Sequence, residues 1–205
     1  MPVFFQQQIN ESTRLGVWKI EETEEFFLRN VPLHRDVTHP KKRLQHLAGR
    51  FLLQYLFPDF PYDQIQIADT RKPFLAGEGY QFSISHCGDY AAAIVSRTHR
   101  VGVDVEETKD RILRIKDKYL SVEEQQIFIP DPATPDFRLL TLLWSAKESV
   151  FKWYGAGEVD FRRHIILSSL DDTANTLRCD FGKLGSPLNI HFRIFDRLVL
   201  SWVVE

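Results

Sequence analysis

A mixed α+β protein built as two similar lobes is what this sequence predicts, each lobe a small, mainly antiparallel sheet packed against one long helix. Three observations carry the prediction. "PKKRLQHLAGRFLLQYLF" (40–57) repeats apolar residues at helical spacing, and "DFRLLTLLWSAKESVFKWYG" (136–155) does so again in the second half. Short runs with the two-residue period of strands lie around both. The order strand, helix, helix, strands, then helix, helix, strands divides the chain into an N-terminal lobe (1–100) and a C-terminal lobe (101–205), with an active site expected in the cleft between them.

Element by element, "RLGVWKI" (14–20) reads as a strand, and "ETEEFFLRN" (22–30) as a short helix with acids in its first turn. The helix at 40–57 opens on Pro40, whose missing N–H costs nothing at a helix start, and closes before Pro58. Leu44, Leu47, Ala48, Phe51, Leu52 and Tyr55 form its apolar stripe. Strands follow at "IQIA" (65–68), "GYQFSIS" (79–85), "YAAAIVS" (90–96) and "VGVDVEE" (101–107), with "HCGD" (86–89) as a turn. The stretch from 109 to 128 is expected to be helical. Pro130, Pro132 and Pro135 then impose a loop before the long helix at 136–155, which Gly155 and Gly157 stop. The tail "NIHFRIFDRLVLSWVVE" (189–205) reads as a hairpin turning near Asp196 and Arg197.

Composition excludes several classes of function. Hydrophobic residues make up 43% and charged residues 26% of the 205, which is ordinary for a globular chain and excludes disorder as its main state. A net charge of −2 offers no general field for nucleic acid, so any phosphate site must be local. The opening residues lack the pattern of a secretory signal, and no apolar run is long enough to span a bilayer. Cys87 and Cys179, far apart and outside any CxxC pattern, suggest neither a zinc site nor a disulfide framework. A reduced cytoplasmic setting is the expectation, without nucleic-acid or membrane partners.

Strand alternation in "VGVDVEE" turns Val101, Val103 and Val105 one way and Gly102, Asp104 and Glu106 the other, with Gly102 leaving room beside the acids. A solvated edge would explain two acids side by side, and so would a cation site. The helix at 136–155 favours the second. Leu139, Leu142, Leu143, Ala146, Val150 and Trp153 fill one sector, and Leu140, Trp144 and Phe151 a second. Only a narrow polar stripe remains: Thr141, Ser145, Glu148 and Lys152. On a solvated helix Glu148 and Lys152 would be a routine i,i+4 pair. On a helix buried nearly all round, an unpartnered carboxylate is too costly. One hard, oxygen-seeking ion such as Mg²⁺ would satisfy Asp104, Glu106 and Glu148 together.

Complementary chemistry lies on the helix at 40–57, where Arg43, His46 and Arg50 share a side and Lys41 and Lys42 stand at the start. That face is either solvated or suited to phosphate, whose oxygens match guanidinium forks. "ISHCGDY" adds Ser85 and His86 at a strand end. Adjacent residues cannot form a catalytic triad through their own side chains, and no GxSxG elbow is present. With Lys72 of "TRKPF", they make sense as donors to a diphosphate.

In this order, "RKPF" (71–74), "FSISH" (82–86), "VGVDVEE" (101–107) and "WSAKESVFK" (144–152) resemble the 4′-phosphopantetheinyl transferase superfamily. Length and layout are similar to its monomeric two-lobe type, typified by the surfactin-synthetase activator, so a monomer is implied. The resemblance implies Mg²⁺- or Mn²⁺-dependent transfer of phosphopantetheine from coenzyme A to a serine of an apo acyl or peptidyl carrier protein, releasing 3′,5′-ADP. It assigns Asp104, Glu106 and Glu148 to the metal, and Lys152 to charge on the leaving group. Lys72, Ser85 and His86 would contact the cofactor's phosphates, and Arg43 and Arg50 its 3′-phosphate. "YLSVEE" (119–124) resembles the family stretch ending in a proposed base, which falls on Glu124, with Glu123 or a metal-linked water as alternatives. Gln45 and His46 depart from the family's usual helix pattern, and "FIPDPATPDF" (128–137) is a proline-rich variation. Two other functions fit less of this set: a catalytically silent binder of coenzyme A or a carrier, and a metal-dependent phosphohydrolase.

Overall fold

The computed structural model describes residues 3–31, 33, 37–77 and 79–205. Strands β1 (Val3–Asn10), β2 (Thr13–Lys19), β5 (Gln81–Cys87) and β6 (Tyr90–Ser96) form an antiparallel sheet in the order β1-β2-β6-β5. Strands β7 (Val101–Glu107), β8 (Ile165–Asp171), β9 (Thr176–Phe181), β10 (Leu188–Ile194) and β11 (Leu198–Val204) form a second, in the order β7-β11-β10-β9-β8. A small pair, β3 (Ile65–Ile67) and β4 (Pro73–Leu75), stands apart. The fold is α+β with antiparallel sheets, as the sequence predicts.

Four layers follow from the alternation of β6. Ala91, Ala93 and Val95 pack with Leu47, Ala48 and Leu52 of α2 (Pro40–Leu56). Ala92 and Ile94, pointing the other way, pack with Val101, Val103 and Val105 of β7. The first sheet therefore lies between α2 and the second sheet, and the valine face of "VGVDVEE" is buried as the alternation requires. The opposite face of the second sheet receives α5 (Phe137–Tyr154), whose Leu142, Ala146 and Val150 share a core with Ile190 and Val203. Asp136 caps α5 by accepting from the N–H groups of Arg138 and Leu139, and Gly155 ends it in the left-handed conformation at φ +71°.

Gly102 works differently from expectation. The space it leaves is filled by the backbone of α5, since a Cβ there would meet Ser149 O and lie 2.6 Å from Trp153 N. The glycine lets helix and strand approach until Asp104 and Lys152 can touch. Between the sheets, β5 is stitched to the free edge of β7 by side chains. Ser83 Oγ accepts from Val103 N at 3.1 Å, and Cys87 Sγ from Glu107 N at 3.4 Å.

Two local expectations shift, and one strand was not expected. The helix near residue 22 is α1 (Glu24–Leu28), only five residues long. The stretch 109–128 is broken into a 3₁₀ helix at Asp110–Ile115, α3 (Lys116–Tyr119) and α4 (Val122–Phe128). Ser121 causes the last break: its hydroxyl accepts from Glu124 N and Glu124 Oε2 accepts from Ser121 N, a capping box that starts a new helix. Strand β1, whose Gln6, Gln7 and Gln8 carry little strand signal, is an edge strand. No helix among the described residues is long and apolar enough to cross a membrane.

Candidate active site

The polar stripe of α5 faces inward, against β7 and β11. Thr141 and Ser145 are buried and satisfied, the first by Phe137 O at 2.7 Å and the second by Ser201 Oγ at 2.9 Å. One turn further on, Glu148 and Lys152 reach the acids of β7. Lys152 Nζ donates to Asp104 Oδ1 at 2.6 Å and to Ser85 Oγ at 2.8 Å, and Ser85 Oγ donates to the same carboxylate oxygen at 2.8 Å. Trp144 Nε1 donates to Glu106 Oε1 at 3.2 Å. Asp104, Glu106, Glu148, Lys152 and Ser85 are thus drawn from β5, β7 and α5 to one place.

Electrostatics show that this place is short of positive charge. Burial, reinforced by Asp104, raises the Glu148 carboxyl to about 7, against the pull of Lys152. Burial and Asp104 likewise raise Glu106. Asp104 is 2% exposed, and its Oδ2 is a buried atom with no hydrogen-bond partner. Three carboxylates share one ammonium. Among the described residues no three His, Cys, Asp or Glu side chains already stand in ligating positions around one point. The all-oxygen donor set and the orphaned Asp104 Oδ2 nevertheless fit a small hard divalent cation.

The remaining candidates divide. His86 keeps an exposed edge on β5, while the protein packed around the rest of its ring, with Lys152 and Lys42, lowers its pKa. Lys72 is half-buried, and burial with Arg100 nearby lowers its ammonium to about 8. It lies 3.5 Å from Trp153 O at the end of α5 and, with Lys152, lines a cavity of about 240 Å³ walled by Pro73, Ile84 and Phe151. Arg43 is engaged by Glu24 at 2.8 Å, and Arg50 is 6% exposed with its guanidinium over the Tyr62 ring. Both are tied to neighbours in the N-terminal half. Gln45, the departure from the family pattern, donates to Gly88 O at 2.8 Å and so holds the turn that follows His86.

Glu124 stands apart from the cluster. It is fully buried, and its carboxylate takes Lys147 Nζ, Ser121 N and Leu167 N. Lys147, equally buried, spends its other donors on Phe161 O at 2.9 Å and Ile165 O at 2.6 Å. With both side chains fully buried and the carboxylate occupied by these donors, Glu124, the residue expected as base, stands in the structure as half of a closed ion pair. Glu123 beside it is exposed in the first turn of α4. Sequence reasoning passed over Lys147. Its signal was its surroundings, because Leu143, Trp144, Val150 and Phe151 at i±3 and i±4 put a lysine on an apolar face, which requires an acid partner.

Residues 100–203 match the model of the family described as the 4′-phosphopantetheinyl transferase superfamily. Enterobactin synthase component D of Escherichia coli (strain K12) is 36% identical over 115 residues, which cover 55% of this chain and 54% of that protein. The 4′-phosphopantetheinyl transferase psf-1 of Bacillus pumilus is 30% identical over 117 residues, covering 54% of this chain and 50% of the other. The matched region thus spans about half the length of these relatives. It includes β7, the whole of α5 and every acid of the cluster, and on that match the chain belongs to the 4′-phosphopantetheinyl transferase superfamily.

Proposed function

We propose that the protein transfers 4′-phosphopantetheine from coenzyme A to a serine hydroxyl of an apo carrier protein and releases 3′,5′-ADP. The observation that carries this reading is the under-neutralised set of Asp104, Glu106 and Glu148 with Lys152, in a chain of this superfamily. Asp104, Glu106 and Glu148 are the residues to hold Mg²⁺ or Mn²⁺. The bound ion would neutralise the diphosphate and leave phosphorus open to attack.

In this mechanism the serine oxygen bonds to the phosphorus that bears pantetheine, and the bond from that phosphorus to the bridging oxygen of 3′,5′-ADP breaks. Glu148 receives the serine proton. Its carboxylate accepts no hydrogen bond from the described residues, which leaves it able to take the proton. Lys152, at the wall of the cavity it shares with Lys72, meets the charge on the departing phosphate. Ser85 keeps Lys152 and Asp104 in register through its two hydrogen bonds, and Lys72 and His86 supply further positive charge and donors to the phosphates. Trp144 fixes the orientation of Glu106. With Glu124 committed to Lys147, no step passes through it.

The test is incubation with coenzyme A, Mg²⁺ and purified apo carrier proteins of the acyl and peptidyl types, read by intact mass. The expected result is a carrier heavier by one phosphopantetheine, with stoichiometric 3′,5′-ADP. Tight coenzyme A binding with neither product would replace this reading by that of a silent binder.

A further inference from the structure

Lys72 stands at a partition between two cavities. One is the cavity it shares with Lys152. The other, of about 310 Å³, lies beside the start of β5, with the exposed Arg100 and Ala156 in its lining. Pro73, Phe82 and Gly155 belong to the walls of both. A side chain at Gly155 would strike the lysine, 2.7 Å from Cδ and 2.5 Å from Nζ, so the glycine gives Lys72 its room. No member of the acid cluster lines the second cavity, and neither does Lys152.

Among the described residues the charged groups of this second cavity are Lys72 and Arg100 alone. Trp153 gathers them: the Arg100 guanidinium lies over its ring at 5.4 Å, and Lys72 Nζ is 3.5 Å from its carbonyl oxygen. The two cations repel. Burial and Arg100 together bring the Lys72 ammonium down to about 8, and no carboxylate offsets them. This corner is short of negative charge, as the acid cluster is short of positive. The remaining lining is mostly apolar or aromatic, with Phe74, Leu75, Tyr80, Phe82, Tyr154 and Ala156. A volume of about 310 Å³ stands at the small end of ligand cavities, which run from about 300 to 1,000 Å³. The cavity therefore suits a small hydrocarbon body with one anionic head. A carboxylate fits that head better than a phosphate. One ammonium and one guanidinium match its two oxygens, whereas a phosphate would press further charged oxygens against hydrocarbon.

We propose that this cavity is a second ligand site, which takes a small hydrophobic monocarboxylate between Lys72 and Arg100. The site is regulatory, because a carboxylate there claims the same flexible ammonium that the cofactor's phosphates would use from the other side of the partition. Each ligand then weakens the other by the same factor. That consequence, unlike the site itself, rests on the transferase function proposed above.

The experiment titrates the full chain calorimetrically with octanoate and with 3-phenylpropionate, without coenzyme A or metal. Octanamide, which lacks the charge, and inorganic phosphate, which lacks the body, are the controls. Both carboxylates should bind about tenfold or more tighter than either control. Arg100→Gln should weaken them about tenfold or more, and Arg100→Lys should restore most of the loss. Ala156→Phe, which fills the cavity without changing its charge, should abolish their binding and leave coenzyme A affinity unchanged. Saturating octanoate should raise the Kd of coenzyme A severalfold in the unaltered chain and leave it unchanged in Ala156→Phe. Absence of carboxylate binding, or octanamide or phosphate binding as tightly as octanoate, overturns the proposal. Octanoate binding that survives Ala156→Phe and is abolished by coenzyme A places the probe in the cofactor's cavity and overturns it equally. If the unaltered chain binds no coenzyme A, the transferase reading fails, and the carboxylate titrations still judge the site.

Discussion

Two acid–lysine pairs are made from α5, at Lys147 and Lys152, and they behave in opposite ways. Lys147 and Glu124 are sealed from solvent, with three carbonyl or carboxylate acceptors around the ammonium and backbone donors completing the carboxylate. Lys152 and Asp104 are also close-packed, yet Asp104 Oδ2 lacks a partner, and Glu106 and Glu148 crowd the same space. Nothing remains for the first pair to bind. The second is incomplete until something positive arrives. Closure of the hydrogen-bond inventory, more than residue type, separates a structural ion pair from a working one.

The contrast breaks first at Lys147. Lys147→Met leaves Glu124 buried without its cation and should cost ~3–5 kcal/mol in denaturant unfolding. Adding Glu124→Gln removes the stranded charge and should return part of that loss. A double variant no more stable than Lys147→Met would mean that the pair is not what holds α4, α5 and β8 together. Glu148→Gln should do the reverse. It removes one of three mutually repelling carboxylates, so the cation-free protein should be as stable as before or more so, while transfer falls by about a hundredfold. Unaltered turnover in Glu148→Gln would refute both its metal and its proton role.

Much of this was legible in the sequence because period carries direction. Alternation placed Asp104 and Glu106 on one face of β7, and helical spacing put Glu148 and Lys152 on the polar stripe of a helix too apolar to face water. What a period cannot state is which strand lies beside which. The meeting of Ser85 with Asp104 depends on β5 lying along the free edge of β7, a contact made by tertiary packing between distant segments. Glu124 failed for a related reason. Its motif position and its role as a capping residue are both local, but its partners Lys147 and Leu167 come from α5 and β8. The same carboxylate, exposed, could have served as a base. The break at Ser121 is legible in the sequence as a capping box, Ser121 followed by Glu124 three residues on.

The smallest expected effect tests the incompleteness itself. Glu148 holds its proton up to a pH of about 7, above the ordinary 4.5, because burial and Asp104 disfavour its charge. The folded, cation-free protein binds that proton more tightly than the unfolded chain. The resulting stabilisation is full below pH 4.5 and is lost as pH rises through 7. A divalent cation reverses the preference, since it binds the carboxylate and expels the proton. Apparent Mg²⁺ affinity should therefore fall up to about tenfold for each pH unit below 7, and the raised Glu106 carboxyl acts in the same direction. Calorimetric titrations in buffers of different ionisation enthalpy should find proton release at pH 6 and almost none at pH 8.5. In thermal melts, Mg²⁺ should raise Tm more at pH 8 than at pH 6. Equal shifts at both values, with no proton released, would mean that the cation does not sit on Glu148, and the cluster would then be complete with Lys152 alone.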